Sequence, residues 1–439
     1  MDNTNSVGHI RHIGLCCGCG ACVGACKRQA ISMTRNVAGY IVPKIDEAKC
    51  CNCGICLRTC PSFRGNKPMS SSKDPFIGDA LEGYIGYAQN AQYRAGGQSG
   101  GVVSAIIRHL LKRGLIDGAI VNVFNKSINR NVPELITNVD ELPRSFGSYY
   151  AQSSVVELFL KHKEKRLAIV ALGCHTQALK LFLRNVSSAK PDVFIIGLFC
   201  AGNYSGDYID DLIHASHIEP RAVDEFRFRY KDIDEVAWPG KVMVASQGRH
   251  ILLPSHRRTL VKRLYEVPRC RFCYDQLNVF ADVSIGDPWG IGREDNRRGN
   301  SVFIARTKRG QDIIQSAMLA GEIVATSCKV EDIVAGQTVN TRLKRDLCAA
   351  VTVANDLNIE VPYVPSFAFD PYYTKDVKSH IRARVLFSLR QMTLTDRDVI
   401  LHERESLRRS VTSEYNRKKI LHVPRRIIGW LVSQLRRVK

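Results

Sequence analysis

LAIVALGCHTQALKLFLR, residues 167–184, decides the fold. Six apolar residues, Leu167 to Leu172, read as a strand buried on both faces, and Thr176 to Arg184 switches to helical spacing. The same grammar recurs in VFIIGLF (Val193 to Phe199), followed by a helix from Asp207 to His217. Upstream, Val102, Val103, Ile106, Ile107, Leu110 and Leu111 form a helical stripe within Ser99 to Lys112, closed by Gly114. A strand (Ala119 to Phe124) and a helix (Val155 to His162) come next. Strands at Phe226–Tyr230, Lys241–Ala245, Asp282–Ile285 and Val302–Arg306 and a helix at Gly310–Ala320 continue the series. Strand, turn and helix in alternation predict an α/β core over residues 79–345, a mostly parallel sheet with helices on both faces.

Ten cysteines precede this core. Cys16, Cys19, Cys22 and Cys26 repeat the spacing of Cys50, Cys53, Cys56 and Cys60, and Pro61 follows the last. Each run has the bacterial ferredoxin pattern, in which three close thiolates bind one 4Fe-4S cluster and the fourth crosses to the other. Cys16, Cys19, Cys22 and Cys60 are assigned to one cluster, and Cys50, Cys53, Cys56 and Cys26 to the second. Zinc sites lack this triple spacing with a returning fourth cysteine. Gly18, Gly20 and Gly54 let the backbone turn close to the metal. Lys27 replaces the proline common after the first run, and Cys17 and Cys51 are extra thiols, read as small packed groups. Two short strands, Ala30–Met33 and Gly39–Pro43, complete a small α+β ferredoxin-type domain over residues 1–68, with a polar linker at 69–78.

The chain has 439 residues, enough for two or three cores. Its N-terminus carries no apolar run of signal-peptide type, and no stretch reaches the length of a membrane span. Sixteen cysteines without a secretory signal argue for a reducing compartment and metal ligation. A cytoplasmic protein is expected. The net charge of +21 is uneven, since residues 374–439 hold 17 Lys and Arg against 6 Asp and Glu. This basic, largely helical extension (346–439) suits a partner subunit or an anionic membrane surface, which would set the protein at the inner membrane face. Leu421 to Lys439 reads as a cationic amphipathic helix. Nucleic acid is not expected, because no nucleic-acid module accompanies the charge.

A second group of cysteines lies in the core. Cys174 and Cys200 each follow a buried strand, so both thiols fall at the carboxyl edge where open α/β sheets bind ligands. Cys270 and Cys273 form a Cys-x2-Cys turn. A further cluster, a zinc site and unligated core thiols are all compatible with these residues. Cys328 and Cys348 read as structural.

GGQSGGVVSAIIRHLL (96–111), ALGCHTQALK (171–180), IGLFCAGNYSG (196–206) and PRCRFCYDQLNVFADVSIGDPWG (268–290) resemble the coenzyme F-420 hydrogenase/dehydrogenase beta-subunit family, which includes hydroxymethyl chlorophyll reductases of the chlorophyll cycle. The resemblance implies FAD and a third 4Fe-4S cluster held by Cys174, Cys200, Cys270 and Cys273, with deazaflavin F-420 as a further cofactor. His175-Thr176 departs from relatives that have Cys followed by Gln; His175 is read as a satisfied polar residue. Gly96, Gly97, Gln98, Ser99, Gly100 and Gly101 form a turn before a helix, whose free N–H groups suit a pyrophosphate. With the resemblance, this turn is assigned to FAD, with Asn122, Gln177, Asn203 and Asp287 as further contacts and Asp282 and Trp289 on the same face. No GxGxxG fingerprint follows a first strand, so NAD(P)H is not the expected donor.

The expectation is an iron–sulfur flavoprotein oxidoreductase. It would pass electrons between a ferredoxin or deazaflavin donor, the clusters and FAD to a substrate that the residues do not specify. The competing expectation is a non-catalytic relay or scaffold subunit, linked in some relatives to polysaccharide synthesis.

Overall fold

The computed structural model describes residues 5–66, 72–187, 191–231, 240–291, 298–365 and 373–417. Among these residues, thirteen strands form three sheets: β1 (Ile31–Arg35) and β2 (Ile41–Ile45); β8 (Glu225–Tyr230), β9 (Lys241–Ser246) and β10 (Arg249–Leu253); and an eight-stranded sheet. The large sheet holds β3 (Glu82–Ala88), β4 (Gly118–Asn125), β5 (Arg130–Ile136), β6 (Leu167–Leu172), β7 (Val193–Leu198), β11 (Val283–Gly286), β12 (Ser301–Ala305) and β13 (Ile323–Cys328), in the order β13-β3-β12-β11-β7-β6-β4-β5.

Its centre obeys the sequence logic. β4, β6, β7 and β11 are mutually parallel. The odd residues Leu167, Ile169 and Ala171 of β6 pack with the helices Val155–Lys161 and Gly173–Asn185, and Ala168 packs with the helix Val102–Lys112 on the opposite face. The expectation of a mostly parallel sheet is corrected to a mixed one. β12, β3 and β13 add antiparallel on one side and β5 on the other. These strands evade an apolar-run reading for local reasons. β3 (EGYIGYA) carries two glycines, β5 carries Pro133 and lies at the edge where a missing N–H is tolerated, and β13 is half-exposed. β8 and β9, expected to extend the main sheet, form a separate antiparallel sheet with β10.

The N-terminal cysteine segment is built as a repeat. Cys22 and Cys56 sit on short helices, Ala21–Ala25 and Ile55–Arg58, each entered from a left-handed glycine, Gly20 (φ 80°) and Gly54 (φ 73°). A Cβ on Gly20 would stand 2.6 Å from Cβ of Glu157, so only glycine lets the turn approach the core helix. The segment is docked by Val156 N–H to Cys19 O (3.2 Å), Ser154 Oγ to Gly18 O (3.0 Å) and Ile41 N–H to Gln152 Oε1 (3.0 Å).

From the other side, the helices Lys344–Asp356 and Lys375–Thr393 share a hydrophobic cluster with Val7, Ile10, Leu15 and Leu57. The helix Arg397–Arg417 is tied to the core by buried Asp207, which accepts from Arg404 Nη1 at 2.8 Å and from Arg397. The arginine-rich sequence after residue 374 is thus helical as expected through residue 417. The amphipathic segment Leu421–Lys439 lies outside the described residues. Among the described residues no helix is long and apolar enough to cross a membrane.

Candidate functional site

The carboxyl edges of β6 and β7 deliver Cys174 and Cys200, and the 3-10 turn Pro268–Phe272 delivers Cys270 beside Cys273. The four thiols sense one another. Cys174 is pushed up by its hydrogen bond with Cys17, then by burial and the nearby charges of Cys17, Cys273 and Cys270. Burial pushes Cys200 up to about 12, with Cys273 adding to it, and Cys270 is raised by burial and then by Cys200 and Cys273.

The N-terminal cysteines group in the same way. Cys22 is raised by burial, then by Cys16 and Cys60. Cys16 is raised by burial, then by Cys17 and Cys60. Cys56 is raised by burial, with Cys53 and Cys26 among its neighbours. Cys50 lies on the same turn as Cys53, its N–H bonded to Asp46 O at 3.0 Å. Cys17, expected to be a packed bystander, bridges the two regions by hydrogen bonds to both Cys174 and Cys19.

Among the described residues no three His, Cys, Asp or Glu side chains form a group that could hold a single metal ion. A cubane makes a different demand, since its thiolates occupy separate corners and are stabilised by N–H donors aimed at sulfur. Such donors are abundant. Gly18 N–H reaches Cys16 Sγ at 3.4 Å, Ala30 N–H reaches Cys26 Sγ at 3.4 Å and Asn203 N–H reaches Cys270 Sγ at 3.3 Å. Backbone groups also serve Cys19, Cys53, Cys56, Cys60 and Cys200.

Arg269 is the residue that sequence reasoning missed here. Its side chain is fully buried, its Nε and Nη1 have no partner among the described residues, Nη2 donates to Pro61 O at 3.4 Å, and the side chain also hydrogen-bonds Cys273. Burial works against its charge, yet the surrounding Cys273, Cys174, Cys17 and Cys270 outweigh that and raise it. A guanidinium with no carboxylate is costly inside a protein unless anions surround it. The signal in the sequence was an arginine directly before the Cys-x2-Cys turn. His175 corrects an expectation: it is buried, and neither ring nitrogen has a partner. Burial pushes its pKa down.

The glycine turn occupies the other end of the edge. Gly96 ends the helix Ala91–Gly96 and Gly101 (φ 78°) starts Val102–Lys112. Two of the N–H groups expected to be free are taken: Gly97 N–H by Tyr93 O (2.9 Å) and Gly100 N–H by Ser301 Oγ (2.9 Å). Gln98 spans Arg229 O and Ser148 N–H. Ser99 Oγ donates to Asp287, which also takes Arg229 Nη1 at 2.7 Å. Lys231 donates to Arg94 O (2.7 Å) and to Ser99 O, and burial followed by Arg229 pushes it down to about 7. Arg227, Arg229 and Lys231 recur every second residue along and just beyond β8, a period-two signal that places all three on one face.

The remaining expected contacts are dispersed. Gln177 Nε2 binds Asp275 Oδ2 at 3.1 Å, Asn203 Oδ1 caps Tyr204 N–H at 2.9 Å, and Asn122 Oδ1 is buried without a partner on β4. Asp282, placed by sequence on the flavin face, stands at the opposite, amino end of β11, where it accepts from Ile195 N–H and Thr307 Oγ1. Trp289 is 36% exposed.

The chain is similar to a subunit of the F(420)H(2) dehydrogenase of Methanosarcina mazei, 27% identical over 70% of this chain and 84% of that protein. It is similar to the beta subunit of the coenzyme F-420 hydrogenase of Methanothermobacter thermautotrophicus, 24% identical over 61% and 92%. The coenzyme F-420-dependent sulfite reductase of Methanocaldococcus jannaschii is 27% identical over 68% of this chain but only 45% of its own length. A chain of the F-420-reducing [NiFe] hydrogenase complex of Methanosarcina barkeri has the same fold, with a TM-score of 0.51 at 19% identity, over 66% of this chain and 98% of that one. The models of the N-terminal and C-terminal parts of the coenzyme F-420 hydrogenase/dehydrogenase beta subunit match residues 84–159 and 164–331. These two segments cover more than half of the sequence, and the chain belongs to the coenzyme F-420 hydrogenase/dehydrogenase beta-subunit family.

Proposed function

We propose that this chain is an iron–sulfur oxidoreductase subunit that carries electrons from a ferredoxin-type N-terminal domain to a flavin site on the core. The observation that supports it best is the set of backbone N–H groups aimed at cysteine sulfur in both regions, with Cys17 hydrogen-bonded to Cys174 between them. Cys16, Cys19, Cys22 and Cys60 would hold one 4Fe-4S cluster, Cys26, Cys50, Cys53 and Cys56 a second, and Cys174, Cys200, Cys270 and Cys273 a third. Arg269 supplies positive charge between the first and third groups.

The turn Gly96–Gly101 with Arg229 and Lys231 would hold FAD, whose chemistry when bound is to exchange electrons singly or in pairs. Asp287 fixes Arg229 and Ser99 in place there. Lys231, held near neutral pKa, is suited to give or take a proton at Nζ. The relatives are named as F-420-dependent proteins, so deazaflavin or ferredoxin is the proposed redox partner and a companion subunit is expected.

Anaerobic purification followed by iron analysis and cofactor identification tests the proposal. About twelve iron atoms per chain and bound FAD are expected. A count near eight would remove the core cluster. Flavin-free protein that carries electrons from donor to partner would make it a relay rather than an enzyme.

A further inference from the structure

Beyond the cysteine groups, positive charge converges on one place without matching acids. Arg263 comes from the 3-10 turn Lys262–Tyr265, Arg271 from Pro268–Phe272, Arg342 and Arg345 from neighbouring turns three residues apart, and His380 and Arg384 from one face of Lys375–Thr393, four residues apart. His380 lies in the field of Arg263, Arg271 and Arg345, and Arg342 in that of Asp346 and then of the same three arginines.

Two carboxylates serve the group. Glu266 is shared between Arg271 and Arg384, and Asp346 is taken by its neighbour Arg345. Among the described residues no carboxylate lies within ion-pair distance of Arg263 or Arg342.

Three buried donor or ring nitrogens in this one place also lack partners: Arg271 Nε, Arg384 Nε and His380 Nδ1. The Arg271 and Arg384 side chains are only 10% and 8% exposed. Buried polar nitrogens are ordinarily hydrogen-bonded, so the two unpaired guanidinium N–H groups mark a missing acceptor, and His380 Nδ1 can donate in one tautomer. The backbone is also specialised. Arg342 is carried on a π-helical turn, Val339–Leu343, which starts at Thr338 with φ 56°. A β-branched residue in that region is rare, and π-turns concentrate at functional sites. His380, pushed down to about 3 by burial and then by the three arginines, reports a strongly positive field.

We propose that Arg263, Arg271, Arg342, Arg345, His380 and Arg384 form a binding site for a small phosphate-bearing molecule. Fork-shaped guanidinium groups suit the geometry of phosphate oxygens, and several of them suit a ligand with more than one negative charge. Arg271 lies between Cys270 and Cys273, and Glu266 links it to Arg384, so the anion would be held beside the third cysteine group. This site is distinct from the Gly96–Gly101 turn. It fits the anchoring of a substrate's charged end, and it stands whether or not a cluster is bound.

The test is calorimetric titration of the full-length, anaerobically purified protein with inorganic phosphate and with pyrophosphate, compared with the R263Q/R342Q double variant. Arg342 is exposed and Arg263 half-exposed, so the fold should tolerate both changes. Expected are saturable binding, tighter for pyrophosphate, and at least a tenfold loss in the double variant with iron content unchanged. If the double variant loses iron, R342Q alone provides the comparison, with a smaller loss expected. No saturable binding of either anion to the wild-type protein overturns the proposal, and so does equal binding by the variant. Failure of both anions together with arginine-dependent binding of an acidic ferredoxin would make the patch a protein-docking surface instead.

Discussion

If Cys174, Cys200, Cys270 and Cys273 hold the proposed cluster, Arg269→Gln should lower its reduction potential. The guanidinium is buried, and the charges that raise it are Cys273, Cys174, Cys17 and Cys270. Reduction adds a negative charge to a site that this cation stabilises, so removing it favours the oxidised state. A unit charge roughly 7 Å from the cluster, at an effective dielectric of about 20, interacts by roughly 2 kcal/mol. For a one-electron couple that is a fall of about 100 mV, at about 59 mV per tenfold change. The assay is a redox titration of the purified protein followed by electron paramagnetic resonance, with iron measured on the same sample. Arg269→Lys keeps the charge and should recover most of the shift. The proposed N-terminal cluster that includes Cys60 should shift in the same direction, because the Arg269 charge also acts on Cys60 and Cys17. A glutamine variant with full iron and an unmoved core potential would show that the guanidinium is not a counter-charge to the cluster, and the reasoning would fail.

Lys231 gives a pH signature. Its folded pKa of about 7 lies below the unfolded value of 10.5, so the unfolded chain binds more protons between those limits. Stability should therefore rise with pH from about 7 to 10.5, and Lys231→Met should flatten that rise in denaturation measured across the range. Asp207→Asn should destabilise the fold by roughly 3–5 kcal/mol, because it leaves Arg404, whose side chain is 3% exposed, without its carboxylate; a loss below about 1 kcal/mol in chemical denaturation would mean that the last described helix does not depend on this pair. Gly20→Ala should undock the cysteine turn, since the added methyl collides with Glu157 and the φ of 80° resists any side chain. Iron per chain would fall in that variant, while Gly114→Ala, which shares a left-handed φ of 61° but has open space around it, should keep its iron.

What the sequence disclosed depends on whether the signal was local. The central strands were legible because β4, β6 and β7 are buried on both faces, and burial on both faces writes an unbroken apolar run. The repeat of the two cysteine turns was legible because each turn, entered from a left-handed glycine, is contiguous in sequence. The antiparallel flanks were not, since Gly83, Gly86 and Pro133 break the apolar pattern and their pairing is set by distant partners. The same reason hid the chemistry between the cysteine groups. Arg269 is one charged residue in PRCRFC until the chain folds, and only then do Cys174 from the end of β6, Cys17 from the N-terminus and Pro61 close around it. Arg229 and Lys231 were hidden differently: β8 shows a period-two basic face, which reads as solvated until Ser99 from upstream and Asp287 from downstream bury it. A strand of alternating arginines that packs inward therefore has to be explained by what it faces. Here it faces the glycine turn, and so the proposed flavin site would rest on side chains of β8 and Asp287 more than on the free backbone of that turn, two of whose N–H groups are already taken.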